Sequence, residues 1–119
     1  MAIEHRVVAI LACNDLAQSR DFYERLGFAM VSDYGNYQIL DDGLGWGLHL
    51  RAAEPGSVNP KHNPAGLYIY VEDVDAVADR VRDSIIETGA PCVKPWGTYE
   101  FAVSDPDGAL VRVGRRVST

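Results

Sequence analysis

The sequence predicts an α+β fold of two tandem βαβββ modules, with curved mixed sheets around a concave cleft and helices on the outer face. Three observations carry this. The order strand, helix, three strands occurs twice, at about 5–51 and 65–114, separated by a connector at 52–64. Asp15 answers to Asp73 at the helix starts, and Gly27 to Gly89 at the expected helix ends. The turn Asp41-Asp42-Gly43 answers to Asp105-Pro106-Asp107-Gly108 before each last strand. Internal repetition on this scale outranks any single motif in deciding a fold. At 119 residues the chain suits one domain with a real core, so 1–119 is read as a single domain.

Each element has its own local reason. Residues 6–13 are a continuous apolar run with β-branched members, which reads as a strand buried on both faces. Asn14 or Asp15 then caps a helix through Leu26, with Leu16, Phe22, Tyr23 and Leu26 on one face and Gly27 as its stop. Strands follow at 28–32, 37–40 and 45–51, divided by the turn signals Asp33-Tyr34-Gly35-Asn36 and Asp41-Asp42-Gly43. Four prolines and glycines at 55, 56, 60 and 64 exclude regular structure from the connector. Residues 66–71 form the next strand, and Asp73 caps a second helix. Its stripe of Val74, Val77, Ala78, Val81 and Ile85 extends toward Gly89. Strands at 92–94, 98–103 and 109–113 complete the second module, the last two joined as a hairpin by the proline, aspartates and glycine at 105–108.

Composition narrows the function classes. Hydrophobic content of 47% and charged content of 24% are those of a folded globular chain. A net charge of −6 argues against nucleic acid or an anionic membrane as partner and would suit a cationic small ligand. Cys13 and Cys92 are too few and too far apart for a disulfide framework or a zinc motif, which points to the cytoplasm. No run is long enough to span a bilayer. Neither a Ser-His-Asp nor a Cys-His constellation is evident, and the eleven glycines sit at turns and helix ends rather than in a phosphate loop.

Asp15-Leu16 followed by Arg20-Asp21-Phe22-Tyr23-Glu24-Arg25-Leu26-Gly27-Phe28, the paired modules and the terminal Asp105-Pro106-Asp107-Gly108 resemble the vicinal oxygen chelate superfamily of glyoxalases, extradiol dioxygenases and bleomycin-resistance proteins. The resemblance covers essentially the whole chain. It implies four places, on the first and fourth strands of each module, where catalytic members hold a divalent metal. These places read Val8, His49, Gly66 and Arg112. Only His49 offers a usual metal donor, and a guanidinium has no lone pair to give. Catalytic zinc normally has about three protein ligands. His5 and His62 read as exposed surface. No metal and no cofactor are therefore expected, and the chain leans away from an enzyme.

Within the superfamily the resemblance is nearest to the bleomycin-resistance type. It rests on residues 22–28, on Tyr37-Gln38-Ile39-Leu40, and on Trp96-Gly97 spaced from Asp105-Pro106-Asp107-Gly108 and Arg112. It implies a metal-free homodimer that sequesters a drug in grooves built from both subunits without acting on it. The function read here is sequestration of an aromatic small molecule such as a bleomycin-family antibiotic, the net charge suiting a cationic one. The Pro-rich connector, Tyr37 in place of Trp and the presence of His49 depart from that pattern. The alternative is a divergent metal-dependent enzyme of glyoxalase or dioxygenase type using His49.

Strand alternation assigns the inward side chains. Val8, Ile10 and Ala12 share one face, as do Gly47, His49 and Arg51. Gly66, Tyr68 and Tyr70 share another, with Leu110 and Arg112. Phe101 and Val103 read as core, which turns Glu100 and Ala102 inward and Tyr99 with the core, unless a bulge near Gly97 shifts the register. The expected ligand-binding set is Tyr37, His49, Arg51, Tyr68, Tyr70, Trp96, Glu100 and Arg112. Flat rings with a few polar groups are typical of small-molecule sites. Arg112 is also placed to pair with Glu100 across the hairpin.

Overall fold

A computed structural model describes residues 5–117. The backbone gathers into two compact units divided between Val58 and Asn59, each described by itself.

The first unit runs β1 (Ala9–Cys13), α1 (Leu16–Leu26), β2 (Ala29–Asp33), β3 (Tyr37–Asp41) and β4 (Gly47–Ala52). Its sheet has the order β1-β4-β3-β2, with β1 parallel to β4 and the other pairs antiparallel. Helix α1 starts where the Asp15 carboxylate accepts from the Gln18 amide, and it stops at Gly27, whose φ of 120° lets its amide turn back to the last carbonyls. Phe22, Tyr23 and Leu26 pack down with Leu11, Leu40, Leu48 and Leu50 to form the core of this unit. Ser19 is buried on the same helix face, a polar member that hydrophobic periodicity does not mark.

The second unit repeats the plan: β5 (Gly66–Tyr70), α2 (Val74–Arg80), β6 (Cys92–Val93), β7 (Thr98–Ser104) and β8 (Leu110–Arg116). Its order is β5-β8-β7-β6, again with the first and last strands parallel. Phe101, Val103, Val111 and Val113 are fully covered, with Val74, Ala78 and Val81 of the helix segment among the other buried residues. The β7–β8 turn is organised by Asp105, whose Oδ1 accepts from the amides of Asp107 and Ala109, each at 2.9 Å. Asp105 and Asp107 are themselves buried. Gly108 (φ +82°) lies so close to the connector that a Cβ there would sit 2.0 Å from the Pro60 carbonyl oxygen. Asn63 donates to the Asp107 carbonyl at 2.9 Å, so the latter part of the connector belongs to this unit's turn.

The fold class is the one expected, two βαβββ modules with a helix on one face of each mixed sheet. Two elements differ from expectation. The first strand is shorter than 6–13 and is not buried on both faces: Leu11 and Cys13 are covered, whereas Ile10 is 57% exposed. An edge strand with a helix on one side only buries alternate residues, however apolar the run. The second helix does not reach Gly89. It ends at Arg80, a single 3₁₀ turn follows at Arg82–Ser84, and Ile85 bridges to Val103 while the Ile86 amide donates to the Ala102 carbonyl at 3.0 Å. The β-branched pair Ile85-Ile86 finds backbone partners on the sheet, and this overrides the helical stripe.

Candidate functional site

The second unit holds a cavity of about 650 Å³ whose walls include Tyr68, Tyr70, Trp96, Thr98, Arg112 and Arg116. The alternation of β5, β7 and β8 places these side chains. On β8, Arg112 and Arg116 share the face opposite Val111 and Val113. On β5, Tyr68 and Tyr70 share a face opposite buried Ile69, with their ring centroids 4.7 Å apart and their planes tilted by 41°. Trp96 sits in the turn ahead of β7, where Gly97 adopts a φ of +89° and the Lys94 amide donates to the Thr98 carbonyl at 2.8 Å. No register shift occurs on β7, so Tyr99 does follow Phe101, and its hydroxyl donates to Asp75 on α2 at 2.5 Å.

Glu100 is the centre of this arrangement. Its side chain is 0% exposed, and its oxygens receive four donors. Oε1 accepts from Trp96 Nε1 at 2.9 Å, Thr98 Oγ1 at 2.5 Å and the Tyr68 hydroxyl at 3.1 Å, while Oε2 accepts from Arg112 Nη1 at 2.9 Å. Burial by itself raises this carboxyl's pKa, yet the hydrogen bonds from Thr98, Trp96, Arg112 and Tyr68 outweigh it and hold Glu100 below the usual carboxylate value. Burial lifts the Tyr68 hydroxyl above its ordinary value; Thr98 opposes that shift and the Glu100 carboxylate adds to it. A second layer lies behind. Lys94 Nζ meets Glu87 Oε2 at 2.5 Å, and Arg112 Nη1 stands 3.8 Å from the same oxygen. The Glu87 hydrogen bond raises the lysine's pKa. Lys94 and Arg112 each lie 5.9 Å from the Trp96 ring centroid. The indole is thus fixed at its N–H while 61% of the residue remains exposed.

Room for this cluster comes from a glycine. A Cβ on Gly114 would stand 2.5 Å from the Tyr68 hydroxyl oxygen and 2.6 Å from Glu100 Cβ. Gly114 pairs with Glu100 across the hairpin and lets the tyrosine reach over β8 to the carboxylate.

The first unit carries a smaller polar pair. The Tyr37 hydroxyl and His49 Nδ1 are 2.8 Å apart, with edge-on rings at 5.4 Å between centroids. Arg51 is the register partner of Tyr37 and is exposed. The repeat extends to this detail: Tyr37 and His49 are twelve residues apart, as are Glu100 and Arg112, and each pair joins the third strand of its module to the fourth. Of the expected set, Tyr68, Tyr70, Trp96, Glu100 and Arg112 come together in the second unit. Tyr37, His49 and Arg51 are neighbours in the first.

Five contributors carry no mark in the expected set: Lys94, Glu87, Thr98, Gly114 and Arg116. Thr98 and Arg116 share strand parity with Glu100 and Arg112, a signal available once β8 is extended past Val113. Glu87 and Gly114 show no pattern that would single them out.

The four places at which the resemblance implies a metal in catalytic members do not suit one here. Val8 lies beside Gly47, its Cγ2 3.0 Å from where a Gly47 Cβ would be, and offers no donor. His49 is engaged by Tyr37, Gly66 pairs with Leu110, and Arg112 is bound to Glu100. No group of three or more His, Cys, Asp or Glu residues placed to hold a metal ion occurs among the described residues. His5 and His62 are exposed.

The sequence model of the Glyoxalase/Bleomycin resistance protein/Dioxygenase superfamily matches residues 3–113. The chain belongs to this superfamily. No curated protein sequence matches it. Solved structures similar to this superfamily member include a bleomycin-binding protein complexed with bleomycin (27% identity, TM-score 0.78, covering 95% of this chain and 99% of that one). A bleomycin resistance determinant encoded on the transposon Tn5 is similar at 27% identity, with a TM-score of 0.79 and coverage of 95% and 98%. TioX from Micromonospora sp. ML1 is similar at 25% identity, with a TM-score of 0.77 and coverage of 96% and 100%.

Proposed function

We propose that this protein binds and sequesters an aromatic small molecule, of the kind represented by bleomycin-family antibiotics, without transforming it. The observation that carries the reading is the cavity in the second unit, where Trp96 and the Tyr68–Tyr70 pair present rings beside a buried carboxylate that four donors hold in place. A catalytic acid or base needs a proton it can exchange with substrate. Glu100 is enclosed by four donors and is held as the anion, which suits a fixed frame for the rings. Exposed aromatic area supplies apolar contact with little side-chain entropy to lose. The likeness to bleomycin-binding proteins at 27% identity supports ligand sequestration as the general role.

The protein acts without metal, as a homodimer, in the reducing cytoplasm, in keeping with Cys13 and Cys92 forming no disulfide. No helix among the described residues is long and apolar enough to cross a membrane.

Titration calorimetry with bleomycin and a panel of planar heteroaromatic compounds tests the reading, with chromatography of the mixture to recover the ligand. Binding of at least one member of this set, recovered chemically unchanged, is expected, and Trp96→Ala should weaken it by about tenfold or more, the loss of one large ring contact. Turnover of the ligand, or affinity indifferent to Trp96, would count against it.

A further inference from the structure

The charges around the second unit's cavity specify more than its rings do, and the ligand class they point to rests on the aromatic-site function proposed for that cavity. Among the described residues that line it there are two arginines, Arg112 and Arg116, and no aspartate or glutamate. The nearest carboxylates are withdrawn. Glu100 is fully buried with both oxygens occupied, and Glu87 turns Oε2 to Lys94 and Arg112 while its Oε1 is buried without a partner. Counting Lys94, Arg112 and Arg116 against Glu87 and Glu100 leaves one positive charge in excess, on a chain whose net charge is −6. A cationic group entering here would be repelled by the two guanidiniums, and the nearby carboxylates already pair with Arg112 and Lys94.

We infer that the cavity takes an aromatic ligand bearing an anionic group such as a carboxylate, with the rings of Trp96, Tyr68 and Tyr70 on the aromatic part and Arg116 on the anion. The two arginines divide the work. Arg112 is half-buried and spends Nη1 on Glu100, so it anchors the frame. Arg116 is exposed at the cavity edge and shares Arg112's face of β8, about 13 Å further along by strand geometry. Its guanidinium is free to present two parallel N–H groups to a carboxylate, the geometry that makes such pairs strong and selective.

Three matched probes separate this inference from the broader reading: 2-naphthoate, 2-naphthamide and 2-naphthylmethylammonium, titrated calorimetrically into the 119-residue protein. Naphthoate is expected to bind about tenfold more tightly than the amide, with the ammonium weakest. High salt should erode the naphthoate advantage while leaving the amide nearly unchanged. Arg116→Gln, at an exposed position, should weaken naphthoate by about tenfold, to near the level of the amide, while changing amide binding far less. Equal or tighter binding of the ammonium, or a naphthoate preference that survives Arg116→Gln, would overturn the inference and leave the aromatic site standing. Failure of all three probes to bind would overturn the aromatic site itself.

Discussion

A single buried carboxylate decides how the second unit's site is built. Glu100 is stable in the interior because Arg112 and three neutral donors replace the water it lost. Removing its charge leaves Arg112 only the longer 3.8 Å contact with Glu87, so Glu100→Gln should cost about 1–3 kcal/mol in urea unfolding at neutral pH. The pH dependence has a definite sign. The folded-state pKa lies below that of the unfolded chain, so the stabilisation is complete above the unfolded carboxylate range and fades as pH falls through the lowered folded value. Wild type and Glu100→Gln should therefore converge in stability on acidification below about pH 4; a gap that stays constant would contradict the assignment. Gly114 is the complementary case. Its Cβ would overlap the Tyr68 hydroxyl and Glu100 Cβ, so Gly114→Ala should destabilise by about 1–3 kcal/mol, measured the same way. If the indole Nε1–Glu100 bond is broken in this variant, a shift in Trp96 emission will accompany the loss.

At the level of elements, the two helices show how a repeated plan tolerates unequal execution. Both start with an aspartate whose carboxylate accepts from an amide three residues on, Gln18 after Asp15 and Ala76 after Asp73. Helix α1 continues for eleven residues to its glycine stop, whereas α2 has seven and gives way to chain that pairs with the sheet. A shorter helix has fewer internal hydrogen bonds to fall back on when its first turn frays. Each Asp→Ala substitution should cost about 1 kcal/mol overall. Amide exchange will distinguish them, with Asp73→Ala deprotecting all of α2 and Asp15→Ala only the first turn of α1. The hairpin of β7 and β8 is the element on which the site depends most. Its aspartate-organised turn sets the register that puts Glu100 within reach of Arg112.

For the whole molecule, the superfamily's two modules carry different chemistry at corresponding places. A neutral Tyr37–His49 pair stands in the first where a charged Glu100–Arg112 pair stands in the second. Divergence of this kind supports the proposed binding without metal. Exhaustive chelation is accordingly expected to leave ligand affinity unchanged, and calorimetry before and after dialysis against EDTA checks it. Exposed apolar side chains on the strands, among them Ile10, Val31 and Val93, suit association of two copies. Sedimentation equilibrium should return about twice the 13.1 kDa of one chain.

Repetition, turn chemistry and strand alternation were all legible in the amino-acid order, because each is a local property of consecutive residues. They sufficed for the fold class, for α1 with its glycine stop and an N-cap at Asn14 or Asp15, and for the shared parity of Tyr68, Tyr70, Glu100 and Arg112. The end of α2 was not legible, since helical spacing of Val81 and Ile85 competes with backbone partners that only the folded sheet offers. Nor were the roles of Glu87, Lys94 and Gly114, which arise from side chains far apart in sequence meeting around one carboxylate. The net charge of −6 pointed to a cationic ligand, while the tertiary structure withdraws the nearby carboxylates and leaves arginines on the cavity wall. Composition sums charges over a chain; a binding site responds to the few that remain unpaired within reach.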